Sequence, residues 1–277
     1  KITFAFGVPT IWQGLMPMVD QFDFSTLRRM TAGGSATPAS VIEFFQKKIG
    51  CSMISGWGMT ETSPIASIAN VDARDADATE AEIVAIHARA GSIVAGVSAR
   101  IVTPDTLEEL PWDDETTGEL HVRGPWIAQE YYKPDEGVRL STDDGWAKTG
   151  DIAAISQYGE IRIVDRTKDL VKSGGEWISS VDVENIIMGH QDVKEAAIVG
   201  IAHLRWTERP LACVVLKEGV EPTDAKKTEI LDFIAPKLAK WWIPDAIEWI
   251  DEVPKTSVGK FSKKDLRDRF ADYVLPG

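Results

Sequence analysis

DRTKDLVKSGGEWIS, residues 165–179, parts two different sequence patterns. Before it, short alternating segments are punctuated by glycine; after it, strand-like runs alternate with helix-like ones. Its first residues, Asp165 to Asp169, are mostly charged and interrupt the apolar runs GEIRIVD (159–165) and Leu170-Val171. A charged interruption gives neither side a face to bury, so the joint between two domains is expected at Arg166–Asp169. Gly174-Gly175 then supplies a low-bulk turn beside that joint.

Upstream, SARIVTP (98–104), GELHVRG (118–124), DIAAIS (151–156) and GEIRIVD alternate between apolar and polar positions, with Gly118, Gly124, Gly145 and Gly159 between them. That pattern predicts a small, mostly antiparallel β unit over 91–165. In residues 1–90 a helix is predicted from Thr37-Pro38-Ala39-Ser40 into VIEFFQKKIG, where Val41, Phe44, Phe45 and Ile49 keep the helical period and Gly50 stops it. The acidic, alanine-rich stretch 71–90 reads as a solvated helix or loop. Downstream, Ser179-Ser180 with Asp182 predicts a capped helix over VDVENIIMGH (181–190). EAAIVGI (195–201) and LACVVLK (211–217) are β-branched strands. TDAKKTEILDFIAPKLAKWW (223–242) is an amphipathic helix capped by Thr223 and broken at Pro236, with Trp241-Trp242 packed inside at its end. The order is β-α-β-β-α-β, a compact α+β domain.

The 277 residues are 44% apolar and 26% charged, which excludes a disordered, collagen-like or disulfide-scaffold chain. That length suits one large domain or two smaller ones. With 30 basic and 43 acidic residues the net charge is −13, so the global basic footprint of a nucleic-acid binder is missing. A local basic groove for a phosphorylated ligand remains open. Cys51 and Cys213 lie far apart in apolar surroundings and read as core residues in a reducing, cytoplasmic compartment. No run approaches the roughly 18 apolar residues of a membrane span. The opening KITFAFGVPTIWQGL has neither a start methionine nor a charged leader, and it is expected to be the interior of a longer sequence.

Four segments carry residue types suited to chemistry. In SGWGMTETSPIAS (55–67), Gly56 and Gly58 allow a backbone to approach a ligand, while Thr60, Glu61 and Thr62 offer two hydroxyls and a carboxylate. Hydroxyls bond phosphate oxygens, a carboxylate suits Mg²⁺, and Trp57 offers a flat face. The same residues also make an ordinary turn with a core tryptophan. In DGWAKTGDIAAIS (144–156), Asp151 after Gly150 suits a ribose diol, or is a plain turn. Arg166 at the joint can donate two bonds to ribose or phosphate, or belong to a charged linker. Lys255, Lys260, Lys263, Lys264, Arg267 and Arg269 form a basic cluster near the end, either a solvated face or a phosphate-side group. His87, His121, His190 and His203 have no metal-ligand spacing. No serine elbow, dinucleotide glycine motif or P-loop occurs, which lowers hydrolase, dehydrogenase and P-loop readings.

Taken in order, VPT (8–10), GGSATP (33–38), GWGMTETSP (56–64), GELHVRGP (118–125), DGWAKTGD (144–151), DRTKDLVKSGGEWIS (165–179) and PKTSVGKF (254–261) resemble the blocks of the adenylate-forming superfamily of acyl-CoA synthetases, luciferases and peptide-synthetase adenylation domains. SGGEWISS (173–180) resembles its medium- and long-chain fatty acyl-CoA synthetase branch. The resemblance implies an α/β and α+β architecture. Residues 1–90 would be the remainder of a large N-terminal adenylation domain, 91–165 its small β-barrel-like subdomain, and 166–277 a compact mobile C-terminal domain.

It also implies a reaction in two steps. A carboxylate attacks the α-phosphate of ATP, giving acyl-adenylate and pyrophosphate, and the CoA thiol then displaces AMP. The implied cofactors are ATP, Mg²⁺ and CoA, the implied partner a carboxylic (fatty) acid, with no nucleic acid, no integral membrane segment and, by analogy alone, a homodimer. By position, Gly33, Gly34 and Ser35 would line the adenine and acyl side, and Gly56, Trp57, Gly58, Met59 and Ile163 the nucleotide, with Trp57 stacked on adenine. Thr60 would bond phosphate, Glu61 hold Mg²⁺, and Asp151 and Arg166 clamp the ribose. Lys260 would bridge carboxylate and phosphate during adenylation. Lys168 falls at the hinge, and Gly174, Gly175 and Trp177 at the CoA channel. The superfamily's phosphate loop lies upstream of everything in this sequence. The chain therefore resembles a C-terminal portion, expected to be inactive alone. Two rivals stay open: a ligase for an aryl or short-chain acid, and a non-catalytic nucleotide- or acyl-binding module.

Overall fold

Three short apolar strands near the start of the chain lie parallel: β1 (Phe4–Gly7), β2 (Arg29–Gly33) and β3 (Met53–Trp57). The computed structural model describes residues 1–104, 106–174, 176–256 and 261–275, which divide by their contacts into two units, Lys1–Val164 and Asp165–Gly277. In the first, α1 (Pro9–Leu15) and α2 (Ala39–Ile49) supply the crossovers that parallel strands need. α2 buries Val41, Ile42 and Phe45 on Met30 and Met53, and Gly50 ends it in the left-handed region at φ +65°. Its start carries no side-chain cap, because Pro38 rather than Thr37 occupies the capping position. In the acidic stretch a helix does form, α3 (Glu80–Ala88), because Thr79 and Glu82 close a reciprocal capping box.

The glycine-punctuated region gives β4 (Ser67–Ile68), β5 (Gly91–Ile93), β6 (Ser98–Val102), β7 (Gly118–Arg123), β8 (Ala147–Ile155) and β9 (Glu160–Arg166). The nine strands run in the order β1-β2-β3-β4-β5-β9-β8-β7-β6, with β4 joining the parallel set to the antiparallel one. Ile101, Leu120, Val122, Ala153, Ile155 and Ile161 form the core of the antiparallel part.

The second unit holds β10 (Val171–Ser173), β11 (Glu176–Ile178), α4 (Ser180–Met188), β12 (Val193–His203), β13 (Thr207–Leu216), α5 (Asp224–Ile234), β14 (Ala246–Trp249) and α6 (Lys263–Arg269). Its sheet runs β11-β10-β13-β12, with β14 parallel to β13. Ile198 and Val214 face a core shared with α4 and α5, while Val199, Leu211 and Cys213 face another that includes Leu266 of α6. The caps at Ser179 and Thr223 form, accepting from Asp182 and Lys226 amides. α5 ends at Ile234 and a 3₁₀ turn over Ala235–Lys237 carries Pro236. Trp242 packs on the core, but Trp241 is 54% exposed and the pair is not buried together. Cys51 and Cys213 are free and buried.

A buried polar cluster ties the first residues of this unit to its last helix. Asp165 accepts from the Ser180 amide at 2.6 Å and from the Ser180 hydroxyl, and from the Arg166 amide at 2.7 Å. The Lys263 ammonium reaches the Ser180 hydroxyl and lies 2.7 Å from Glu184, whose carboxylate also accepts from the Ile198 amide at 2.7 Å. Burial pushes the Glu184 carboxyl up to about 7, with Lys263 and the Ile198 amide opposing. Burial also works against the Lys263 charge, yet the Glu184 and Asp165 carboxylates raise it above its ordinary value.

Lys263→Met should therefore cost the second unit ~3–5 kcal/mol in urea unfolding, because two buried carboxylates lose their counter-charge. Glu184→Gln tests the sign of the burial term. A carboxyl raised from 4.5 to about 7 holds its proton more tightly folded than unfolded, so its contribution falls as pH rises through that window. Relative to wild type, Glu184→Gln should gain stability from pH 5 to pH 8; a difference flat with pH would contradict this account.

Candidate functional site

In the first unit β2 ends on Gly33, which lies in register beside Gly56, the last residue but one of the parallel strand β3. A crevice beyond the carboxyl ends of parallel strands is where open α/β sheets bind ligands. Gly34 follows in the left-handed region at φ +89°, and Ser35 is exposed on the same loop. After β3, a Cβ on Gly58 would stand 1.9 Å from the Pro64 carbonyl oxygen, so no side chain fits there. The chain next makes one 3₁₀ turn, Thr60–Thr62. The Met59 amide donates to the Thr62 hydroxyl at 2.9 Å, and that hydroxyl lies 2.8 Å from the Pro64 carbonyl.

This geometry separates the three polar residues of the turn. Thr62 is fully buried and staples the loop from inside, so it is not one of the two hydroxyls offered to a ligand. Thr60 is exposed and Glu61 is half-buried. The Glu61 carbonyl accepts from the Ala128 amide at 2.8 Å, and its carboxylate accepts from the Tyr131 hydroxyl at 2.8 Å. That bond, with some burial, raises the Tyr131 phenol above its usual value.

Trp57 has a double character that the sequence left open. It is half-buried against the antiparallel core, as is Ile163, and its indole N–H donates to the Asp151 carboxylate at 2.9 Å. Asp151 is itself buried, its amide held by the Thr149 hydroxyl at 3.1 Å, so β8 fixes the ring plane of a residue on β3. Gly33, Gly56, Trp57, Gly58, Met59, Thr60, Glu61, Asp151 and Ile163 thus lie on connected elements of one unit.

Arg166, Lys168, Gly174 and Trp177 belong to the second unit. Arg166 and Lys168 are exposed, the latter in the turn after β9. The Gly174 amide donates to the Trp206 carbonyl at 2.8 Å, and Trp177 is exposed with the Lys172 ammonium 4.6 Å above its ring. Lys260 and Gly175 lie outside the described residues. Most of the basic cluster is paired within the second unit: Lys255 with Glu195, Lys263 with Glu184, Lys264 with Asp268 and Arg267 with Asp169.

Mg²⁺ keeps several waters and takes one or two carboxylates plus substrate phosphates, so a single half-buried carboxylate such as Glu61 fits its donor needs. The fold brings ligand atoms of His190, Asp192 and Glu229 within 4.8 Å of one another, which their spacing in sequence did not show, but the Lys226 ammonium sits 2.6 Å from Asp192 and 2.5 Å from Glu229 and already supplies the charge. The concavities bordering α2, lined by Ser40, Glu43, Phe44, Lys47 and Lys48 and by Gln46, Glu80, Ala81 and Val84, include none of the residues nominated from sequence. No helix is long and apolar enough to cross a membrane among the described residues.

Sequence models of the AMP-binding enzyme and of the AMP-binding enzyme C-terminal domain match residues 1–132 and 182–260. The long-chain-fatty-acid–CoA ligase of Thermus thermophilus is 42% identical over 98% of this chain and 50% of that protein. The 3-methylmercaptopropionyl-CoA ligase of Ruegeria lacuscaerulensis is 40% identical over 98% of this chain and 50% of its own length. Among solved structures, ATP-bound MatB from Rhodopseudomonas palustris matches with a TM-score of 0.84 at 28% identity, over 98% of this chain and 52% of that one. The chain spans about half the length of the curated relatives it matches.

Thr62→Val keeps the shape of the staple and removes its hydroxyl. It should destabilise the first unit by ~1–3 kcal/mol in urea unfolding, because the Met59 amide loses its partner in a buried turn.

Proposed function

Because this chain belongs to the AMP-binding enzyme family, we propose that the protein carrying it is an ATP-dependent acid–thiol ligase acting on medium- or long-chain fatty acids. The observation that carries the reading is the in-register pair Gly33 and Gly56, with the Glu61 turn directly beyond it. The carboxyl ends of parallel strands are where a nucleotide would approach, and the turn beyond them would present the Thr60 hydroxyl and the Glu61 carboxylate.

In the first step a carboxylate oxygen of the acid attacks the α-phosphorus of ATP, and the bond to pyrophosphate breaks. In the second, the CoA sulfur attacks the acyl carbonyl and AMP leaves with the bonding pair. The protein's part is alignment and charge neutralisation. Trp57, its plane held by Asp151, would stack on adenine; Asp151 and Arg166 would hold the ribose hydroxyls. Gly33, Gly34 and Ser35 would line the adenine and acyl side, with Gly56, Gly58, Met59 and Ile163 beside the nucleotide. The Thr60 hydroxyl would donate to a phosphate oxygen, and Glu61 would hold Mg²⁺, which supplies positive charge to the phosphates when bound. Lys260 would donate to the carboxylate and phosphate oxygens as negative charge develops between them.

The three-part organisation, 1–90, 91–165 and 166–277, belongs to the same proposal. Lys168 would be the hinge between the two half-reactions, and Gly174, Gly175 and Trp177 would border the path of CoA. Two relatives of nearly equal identity act on a long-chain fatty acid and on 3-methylmercaptopropionate, so a short sulfur-containing acid is the second reading.

The intact protein with ATP, CoA and acids from acetate to palmitate, 3-methylmercaptopropionate and aryl acids included, should release AMP only with CoA and peak at one medium or long chain. Lys260→Ala should lower adenylation by on the order of a hundredfold or more. Binding of AMP with no turnover of any acid would leave the non-catalytic module. Lys168→Pro should spare adenylation and depress thioester formation; equal rates in both half-reactions would remove the hinge.

A further inference from the structure

Glu61 is held from two directions by one segment. Ile127 is buried in the antiparallel core and its amide donates to the Gly124 carbonyl at 3.1 Å. The next residue, Ala128, donates its amide to the Glu61 carbonyl at 2.8 Å. Gln129 is tied through its carbonyl to the Ser141 hydroxyl at 2.7 Å. Tyr131 closes the segment with its hydroxyl 2.8 Å from Glu61 Oε1. Main chain and side chain of the same acidic residue are therefore fixed by residues some seventy positions away, anchored in turn by the core.

We infer that Tyr131 is a positioning residue for Glu61, tying one carboxylate oxygen so that the other is presented singly to a divalent cation. The inference rests on the ligase reading above. A free glutamate side chain rotates about its last bond and can offer both oxygens to one ion. Mg²⁺ demands near-octahedral geometry at short, even distances, whereas larger ions accept both oxygens of a carboxylate. A donor on Oε1 competes with the two-oxygen mode and so favours the small ion. The phenol acts here as a neutral hydroxyl donor to Oε1. Its hydroxyl also adds no charge, so it orients the carboxylate without neutralising it.

The test is Tyr131→Phe in the intact protein, which keeps the ring. The Mg²⁺ concentration giving half-maximal AMP formation should rise about tenfold, ~1.4 kcal/mol. Mn²⁺ binding to the protein with a non-hydrolysable ATP analogue, followed by electron paramagnetic resonance, should weaken by a similar factor. AMP affinity without metal, KM for CoA and thioester formation from supplied acyl-adenylate should all stay at wild-type values. An unchanged Mg²⁺ requirement in an active Tyr131→Phe protein overturns the positioning role. So does a matching loss of metal-free AMP affinity, which would mark a structural role only. A wild-type protein that releases no AMP with any acid defeats the ligase reading itself.

Discussion

The register that sets Gly33 beside Gly56 governs the rest of the first unit. Neither glycine has room to spare for a side chain, since a Cβ on Gly33 would lie 3.2 Å from the Gly56 carbonyl oxygen and one on Gly56 would lie 3.1 Å from the Ile65 side chain. The contact at Gly58 extends the same constraint. With the Pro64 carbonyl occupying the space a Cβ would need, the loop can only fold back tightly, and Thr62 seals it from beneath. Thr60 and Glu61 point away from that seal because the buried position is already taken. Thr60 is left exposed and Glu61 half-buried as a by-product of how the turn is packed.

The second unit depends on a different balance. β12 and β13 are apolar on both faces, Ile198 and Val214 toward one core and Val199 and Leu211 toward the other, as strands covered on both sides must be. Helices then press charged residues into the interior wherever they meet the chain entering from β9. Asp165, Ser180, Glu184 and Lys263 are what that meeting place contains. Together with Arg267 on Asp169, these bonds tie α6 to the stretch that follows the unit boundary. A buried ion pair is weak evidence for stability, but once formed it fixes register, since any shift of α6 would strand a charge.

How much of this was legible follows from what sequence encodes locally. The helix over 39–49 and the caps at Ser179 and Thr223 were readable because capping and periodicity involve residues within a few positions. The glycines and Glu61 could be nominated for the same reason, each within one short block. The acidic stretch was not, since its composition fits a loop as well as a helix, and the reciprocal bonds of Thr79 and Glu82 tipped the balance. Trp241 shows the limit in the other direction: paired aromatics gave no sign of which would face solvent.

Charge was the least legible quantity, because a charge acts through its partner. The six basic residues near the end looked like one field, yet four of them hold carboxylates drawn from elsewhere in the unit: Glu184, Glu195, Asp169 and Asp268. Only Asp268 lies within a helical turn of its partner. Tyr131 and Glu61 illustrate the same point at the site, with a bond between residues that no local pattern connects. A tight glycine-containing loop can therefore be found from its backbone requirements, which are local. The direction in which its carboxylate points is set by a distant phenol, and only the folded chain displays it.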